Sequence, residues 1–161
     1  MDNYTEQINE FAPQIRIGAS DELSAAAGRL RQRVFIDEQG VPEDEVFDGL
    51  DSSAFQIVMF EDDEPVATAR LLKDGGSWRI GLVAVDKSRR GQHLGEKVMK
   101  SAIEYISSRG GKEILLSAQQ QAAGFYEKLG FEQCDDVVAF ESGFVLVPMK
   151  CSMAAACISF D

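Results

Sequence analysis

Ile80-Gly81-Leu82-Val83-Ala84-Val85 is an apolar run, and shortly after it comes Arg89-Arg90-Gly91-Gln92-His93-Leu94-Gly95. A strand that feeds a glycine turn and then a helix start brings several unpaired backbone N–H groups to one point. Lys87, Arg89 and Arg90 add cations beside it. Gly91 can take backbone angles that crowd other residues, and Gly95 permits close approach on the next turn. Such a place suits a phosphate group. A capped helix after a tight turn is the plain alternative. The chain has no Gly-x-x-x-x-Gly-Lys-Ser/Thr loop, and no Gly-x-Gly-x-x-Gly follows the first strand, so the common nucleotide-binding loops fit poorly.

Outward from that segment, the pattern predicts an α/β fold. Gln14 to Ile17 alternates as a short strand. Ser20-Asp21-Glu22 opens a helix with acidic groups where the helix dipole favours them. Leu23, Ala26, Ala27, Leu30, Val34 and Phe35 recur at helical spacing, which buries one face of 21–36. Gly40-Val41-Pro42 interrupts it. Residues 42–51 carry Glu43, Asp44, Glu45, Asp48 and Asp51, readable as a solvated loop or short helix, or as a rim that attracts a cationic substrate. Residues 54–60, 66–72 and 78–85 then read as an antiparallel meander joined by short turns. Leu94, Val98, Ala102 and Ile106 mark a helix over 94–108, and 113–117 reads as a short buried strand. A helix between two strands implies a crossover and parallel pairing. A helix over 119–129 and strands at 131–136 and 144–149 complete a mixed sheet.

Size and composition narrow the function classes. The chain has 161 residues, 45% of them hydrophobic, enough for one well-filled core. The expected organisation is a loose lead-in over 1–12, a single domain over 13–150 and a tail over 151–161. No apolar stretch is long enough for a membrane span, and the N-terminus lacks the pattern of a secretory signal. A formal charge of −11 repels nucleic acid over much of the surface. One histidine and no close ligand cluster argue against a metal site. Cys134, Cys151 and Cys157 form no Cys-x-x-Cys pair and no even disulfide framework, which favours a reducing cytoplasm.

Three ordered motifs carry a family resemblance. Arg90-Gly91-Gln92-His93-Leu94-Gly95 resembles the Arg/Gln-x-x-Gly-x-Gly/Ala loop of the Gcn5-related N-acetyltransferases, with His93 where that pattern has its middle glycine. Leu30 to Pro42 resembles the Arg-x-x-Val-Phe-x-x-Glu-Gln-x-x-Pro segment of a bacterial subgroup often called ElaA-like. Ser117-Ala118-Gln119 with Gly124-Phe125-Tyr126 to Gly130-Phe131 resembles the Ala-Gln…Phe-Tyr-x-x-x-Gly-Phe segment of the same subgroup. A fourth segment, Glu141 to Met149, departs from the subgroup by placing Leu146 where a histidine is usual.

The resemblance implies a mostly antiparallel sheet flanked by helices and splayed between the strands near 78–85 and 113–118. It implies acetyl-CoA as cosubstrate and a primary amine, of a small molecule or an exposed lysine, as acceptor. Amides of Val83, Ala84 and Val85 would pair with the pantetheine arm, and Arg90, Gly91, Gln92, His93, Leu94 and Gly95 would receive the pyrophosphate. Phe125 would contact the cofactor. Tyr126 would protonate the departing thiolate, Glu38 is a candidate base, and a strand amide near Val83 would support the oxyanion. Asp48 or Asp51 could take the proton through water, or a partly neutral amine could need no dedicated base. The resemblance also implies a homodimer built with the C-terminal strands. A non-catalytic acyl-CoA-binding regulatory module is the alternative, favoured by the departures at His93 and Leu146.

Overall fold

The computed structural model describes residues 13–153. Expectations for the 1–12 lead-in and for residues 154–161 of the tail lie outside the described residues. In chain order the elements are β1 (Gln14–Gly18), α1 (Asp21–Arg31), a π-helical turn (Gln32–Glu38), α2 (Glu43–Val46), β2 (Phe55–Glu61), β3 (Glu64–Asp74) and β4 (Ser77–Val85). Then come α3 (Leu94–Ser108), β5 (Glu113–Gln119), α4 (Ala123–Lys128), β6 (Glu132–Gln133), β7 (Val138–Ala139) and β8 (Val145–Ser152). This is a mixed α/β fold whose central sheet is mostly antiparallel and flanked by helices.

The described residues divide into two compact units, 13–70 with 82–99 and 71–81 with 100–153. In the first unit β1 runs antiparallel to β2, with Gln14 opposite Phe60 and Gly18 opposite Gln56. The Ser20 side chain caps α1 by accepting from the Leu23 N–H at 3.2 Å. Leu23, Ala26 and Ala27 of that helix bury against Val58. Leu30, Val34, Phe35 and Val46 form a second cluster with Ala84 of β4, and Leu82 packs against it. This cluster joins the π-helical turn to the strand that precedes the glycine loop.

In the second unit β5 pairs parallel with β4 over three partners, Ser77 with Glu113 to Arg79 with Leu115. Beyond that shared ladder β4 runs on to Val85 and β5 to Gln119. The rest of β5 is held on its other side, where β8 runs antiparallel from Ser152 opposite Glu113 to Leu146 opposite Gln119. Trp78 is buried, with Tyr105 edge-on to it at 6.3 Å between centroids. Gly111 lies close against this ring: an added Cβ would meet Trp78 Cδ1 at 2.8 Å and collide with Ile106.

Several boundaries differ from the sequence pattern. The helix expected over 21–36 stops being α-helical at Arg31 and widens into the π turn. Over so few residues both windings keep Val34 and Phe35 on the buried side, so apolar spacing alone does not separate them. The strand expected over 131–136 shortens to β6, and β7 was not expected at all; both pair with β8 over two residues. β8 extends to Ser152, past the expected end of the domain. Among the described residues Cys134 is free and exposed. Among the described residues no helix is long and apolar enough to cross a membrane.

Candidate active site

The glycine loop belongs to the first unit. β4 enters it through Leu82, which has a positive φ of 50° although it is not glycine. A bulky residue in the left-handed region marks a local departure from regular strand geometry. Val83 follows it directly, so the strand amides expected to meet a ligand come immediately after the irregularity. Ala84 is buried, whereas Val83 and Val85 are half-buried. This agrees with strand alternation in which one face is core and the backbone edge remains available.

After β4, Asp86 caps a short 3-10 turn, accepting from the Ser88 N–H at 3.2 Å. Gly91 and His93 then both take left-handed backbone angles, φ 82° and 63°. The first intrahelical hydrogen bond of α3 runs from Lys97 N–H to His93 O at 3.1 Å. The amides of Leu94, Gly95 and Glu96 therefore precede the helix's own ladder, at its positive end. Leu94 is buried and anchors the helix, while Gly91, Gln92 and His93 are exposed. The His93 ring is 80% exposed, with Nδ1 3.5 Å from Glu96 Oε1. Its backbone serves the turn and its side chain faces solvent.

The two loop arginines are paired. Arg90 donates Nη1 to Glu38 Oε2 at 2.5 Å, Nη2 to Glu38 Oε1 at 2.8 Å, and Nε to the Val85 carbonyl at 3.1 Å. Arg89 pairs with Glu61. Arg33 reaches Asp86 at 3.3 Å and the Pro65 carbonyl at 3.1 Å. The hydrogen bonds from Arg90 hold the Glu38 carboxyl below its ordinary range, with the charges of Arg90 and Lys87 acting in the same direction.

Asp48 and Asp51 are likewise engaged. Asp48 accepts both Nη groups of Arg70 at 2.8 Å, and Asp51 accepts Arg31 Nη1 at 2.9 Å and Gln56 Nε2 at 2.8 Å. Hydrogen bonding from Arg70 lowers the pKa of Asp48. Burial pushes Asp51 up, and Arg31, Gln56 and Arg70 together outweigh it, leaving it lowered as well. Spacing in the sequence gave no sign of this network, because its partners come from α1, β2 and β3. The one available signal was Arg31, a charge standing on the apolar face of α1.

Tyr126 and Phe125 belong to the second unit, on α4. The Tyr126 ring is buried between Phe125 and Phe131, edge-to-face with each at 5.0 and 6.2 Å. Burial pushes its phenol up to about 12. The Tyr126 carbonyl accepts the N–H groups of Leu129 and Phe131, which closes the helix around the Gly130 turn. Phe125 is 36% exposed. Leu146, where the subgroup usually has histidine, pairs with Gln119 on β5 and Val138 on β7. Among the described residues no group of three or more histidine, cysteine or acidic side chains is arranged to hold a metal.

The fourth strand of the sheet breaks its regularity before a left-handed loop, which then opens a long helix. Residues 19–153 match the acetyltransferase (GNAT) domain model, and the chain belongs to that family. Within it the chain is ElaA-like. Protein ElaA of Escherichia coli is 32% identical over 108 residues, covering 64% of this chain and 71% of that one. Its crystal structure aligns at a TM-score of 0.78 and 27% identity, over 86% of this chain and 99% of the other. YjcF of Bacillus subtilis, named an uncharacterized N-acetyltransferase, is 29% identical over 127 residues, 79% of this chain and 91% of that protein. The crystal structure of an acyl-CoA N-acyltransferase from Pseudomonas aeruginosa aligns at a TM-score of 0.77 and 28% identity, over 87% and 99% of the two chains.

Proposed function

We propose that this protein is an acetyl-CoA-dependent N-acetyltransferase acting on a primary amine of a small molecule or an exposed lysine, with residues 13–150 as its acyltransferase domain. The observation that carries this reading is the turn before α3. Left-handed angles at Gly91 and His93 lead the loop directly into the first amides of a 15-residue helix, which supports an anion-binding position there. The donor's pyrophosphate would sit on residues 90–95. Its pantetheine arm would run along the amides of Val83, Ala84 and Val85, with Phe125 as an apolar contact.

In the proposed reaction the neutral amine attacks the thioester carbonyl, and the Val83 amide supports the oxyanion that forms. Collapse breaks the C–S bond, and the Tyr126 hydroxyl gives its proton to the departing sulfur. The surplus proton of the amine leaves to solvent, and the Tyr126 oxygen is reprotonated from it. With its pKa at about 12, Tyr126 stays protonated throughout the neutral range and is ready as a donor. Glu38, Asp48 and Asp51 are all held by arginines, so the acceptor amine would enter already neutral, without a dedicated side-chain base.

Thiol release from acetyl-CoA across a panel of amines tests the activity, and calorimetry with acetyl-CoA tests donor binding. Tyr126→Phe should lower turnover by about a hundredfold at saturating substrates while acetyl-CoA affinity changes little. Unchanged turnover would remove Tyr126 as the acid. Donor binding without turnover on any amine would favour the acyl-CoA-binding module instead.

A further inference from the structure

We propose that Glu38 is the positioning residue of the donor loop, fixing Arg90 and through it the exit of β4 in the conformation that receives the donor's phosphates. This rests on the acetyl-CoA reading above and assigns Glu38 a role different from that of a base. Arg90 uses its planar fork fully: two parallel bonds go to the Glu38 carboxylate, and Nε binds the carbonyl of Val85. A guanidinium held at three points defines both a position and a plane. The last carbonyl of β4 and the first residue of the phosphate turn are thereby locked together.

The other end of the clamp is equally fixed. Glu38 closes the π-helical turn, whose Val34 and Phe35 are buried against Ala84 of β4. Glu38 is therefore referenced to the same strand whose exit it controls. Arg33, on the same turn, reinforces the arrangement through Asp86 and the Pro65 carbonyl. Arg89 is matched by Glu61. With both loop arginines matched by carboxylates, the phosphates are received chiefly by backbone amides, and Arg90 acts by shaping the turn that presents them. A carboxylate with both oxygens on a guanidinium is also poorly disposed to take a proton from an amine.

The test compares wild type with Glu38→Ala, Glu38→Gln and Arg90→Lys, and adds the Glu38→Ala/Arg90→Ala pair to complete a double-mutant cycle with Arg90→Ala. CoA affinity is read by calorimetry, with KM for acetyl-CoA, kcat and the pH profile of kcat. Glu38→Ala should weaken CoA binding and raise KM by about tenfold, with kcat changed less than about twofold and its pH profile unmoved. Glu38→Gln, which keeps one acceptor, should recover part of the loss. Arg90→Lys, which keeps charge without the fork, should resemble Glu38→Ala. In the Arg90→Ala background, Glu38→Ala should have almost no further effect. Loss of kcat with CoA affinity intact, or disappearance of an acidic limb in the kcat profile, would overturn the proposal and restore Glu38 as a base. Equal CoA binding by wild type and Glu38→Ala would also overturn it. Wild type that binds no CoA would instead remove the donor reading itself. Glu38→Gln keeps the volume and a hydrogen bond, so its binding decides the matter if Glu38→Ala fails to fold.

Discussion

At the scale of single residues, three left-handed positions set the local shape of the site, and two of them, Leu82 and His93, are not glycine. Leu82 and His93 carry positive φ, a conformation that costs a side chain of order 1–3 kcal/mol and persists where its surroundings hold it. His93 stands at the position where the family loop has glycine, and the backbone there takes a glycine-like angle regardless. Its exposed ring is free of steric demands on the loop, which makes the substitution tolerable. His93→Gly should therefore keep the turn and leave stability unchanged, or raise it by up to about 1 kcal/mol, since relief of strain is partly offset by extra freedom in the unfolded chain. His93→Val should cost about 1–2 kcal/mol, because a β-branched residue tolerates that angle poorly. Urea unfolding of the three proteins separates these outcomes. Equal losses in both variants would show that the imidazole, rather than the backbone angle, is what position 93 requires.

At the scale of elements, the segment between α1 and β2 is held by buried charge. Arg31 is fully buried, and its charge is opposed by burial and supported by Asp51. Arg70, also buried, stays raised because Asp48 and Asp51 outweigh the cost of its burial. Asp51→Ala would strand Arg31 without its carboxylate and should cost about 3–5 kcal/mol. Asp48→Ala should cost less, since Arg70 still has Asp51 within 3.6 Å. Both aspartates have lowered folded pKa values, so their contribution is present above the ordinary carboxylate range and is lost as pH falls below it. Thermal unfolding of both variants from neutral to acidic pH measures the order and the sign; a larger loss for Asp48→Ala would contradict it.

That network also shows where the sequence was legible. Strands and helices with sustained periodicity were readable, α3 at its observed bounds of Leu94 and Ser108. So was the loop, because its residues are contiguous. The pairing of Glu38 with Arg90 and of Arg31 with Asp51 joins residues 52 and 20 positions apart, and no local pattern encodes such partners. The π winding and the two-residue strand β7 lie outside the sequence pattern, and β6 is shorter than it, for a related reason. Elements that short owe their existence to what they pair with, not to their own propensity.

At the scale of the whole molecule, charge opposes the ligand that the loop is proposed to hold. The protein carries a formal charge of −11, and acetyl-CoA is anionic through its phosphates. Were Arg89 and Arg90 unpaired, they would form a local positive focus that steers phosphate inward. Their pairing with Glu61 and Glu38 leaves Lys87 as the remaining loop cation, so the long-range field acting on an approaching donor is chiefly that of an acidic surface. Raising ionic strength from about 10 mM to about 150 mM shortens the screening length from about 30 Å to about 8 Å. The association rate of acetyl-CoA should therefore rise with salt, by about twofold to fivefold, rather than fall as it does for sites built on free cations. Stopped-flow association across that range, at constant pH, reads the slope directly. A rate that falls with salt would mean that unpaired cations dominate the approach, and the matched arginines would then not describe the protein in solution. Glu38→Ala, which releases the Arg90 charge, should reduce the positive slope even as it weakens the final grip on CoA. Steering and positioning thus move in opposite directions in one variant, which is the behaviour expected of a clamp that sacrifices attraction for geometry.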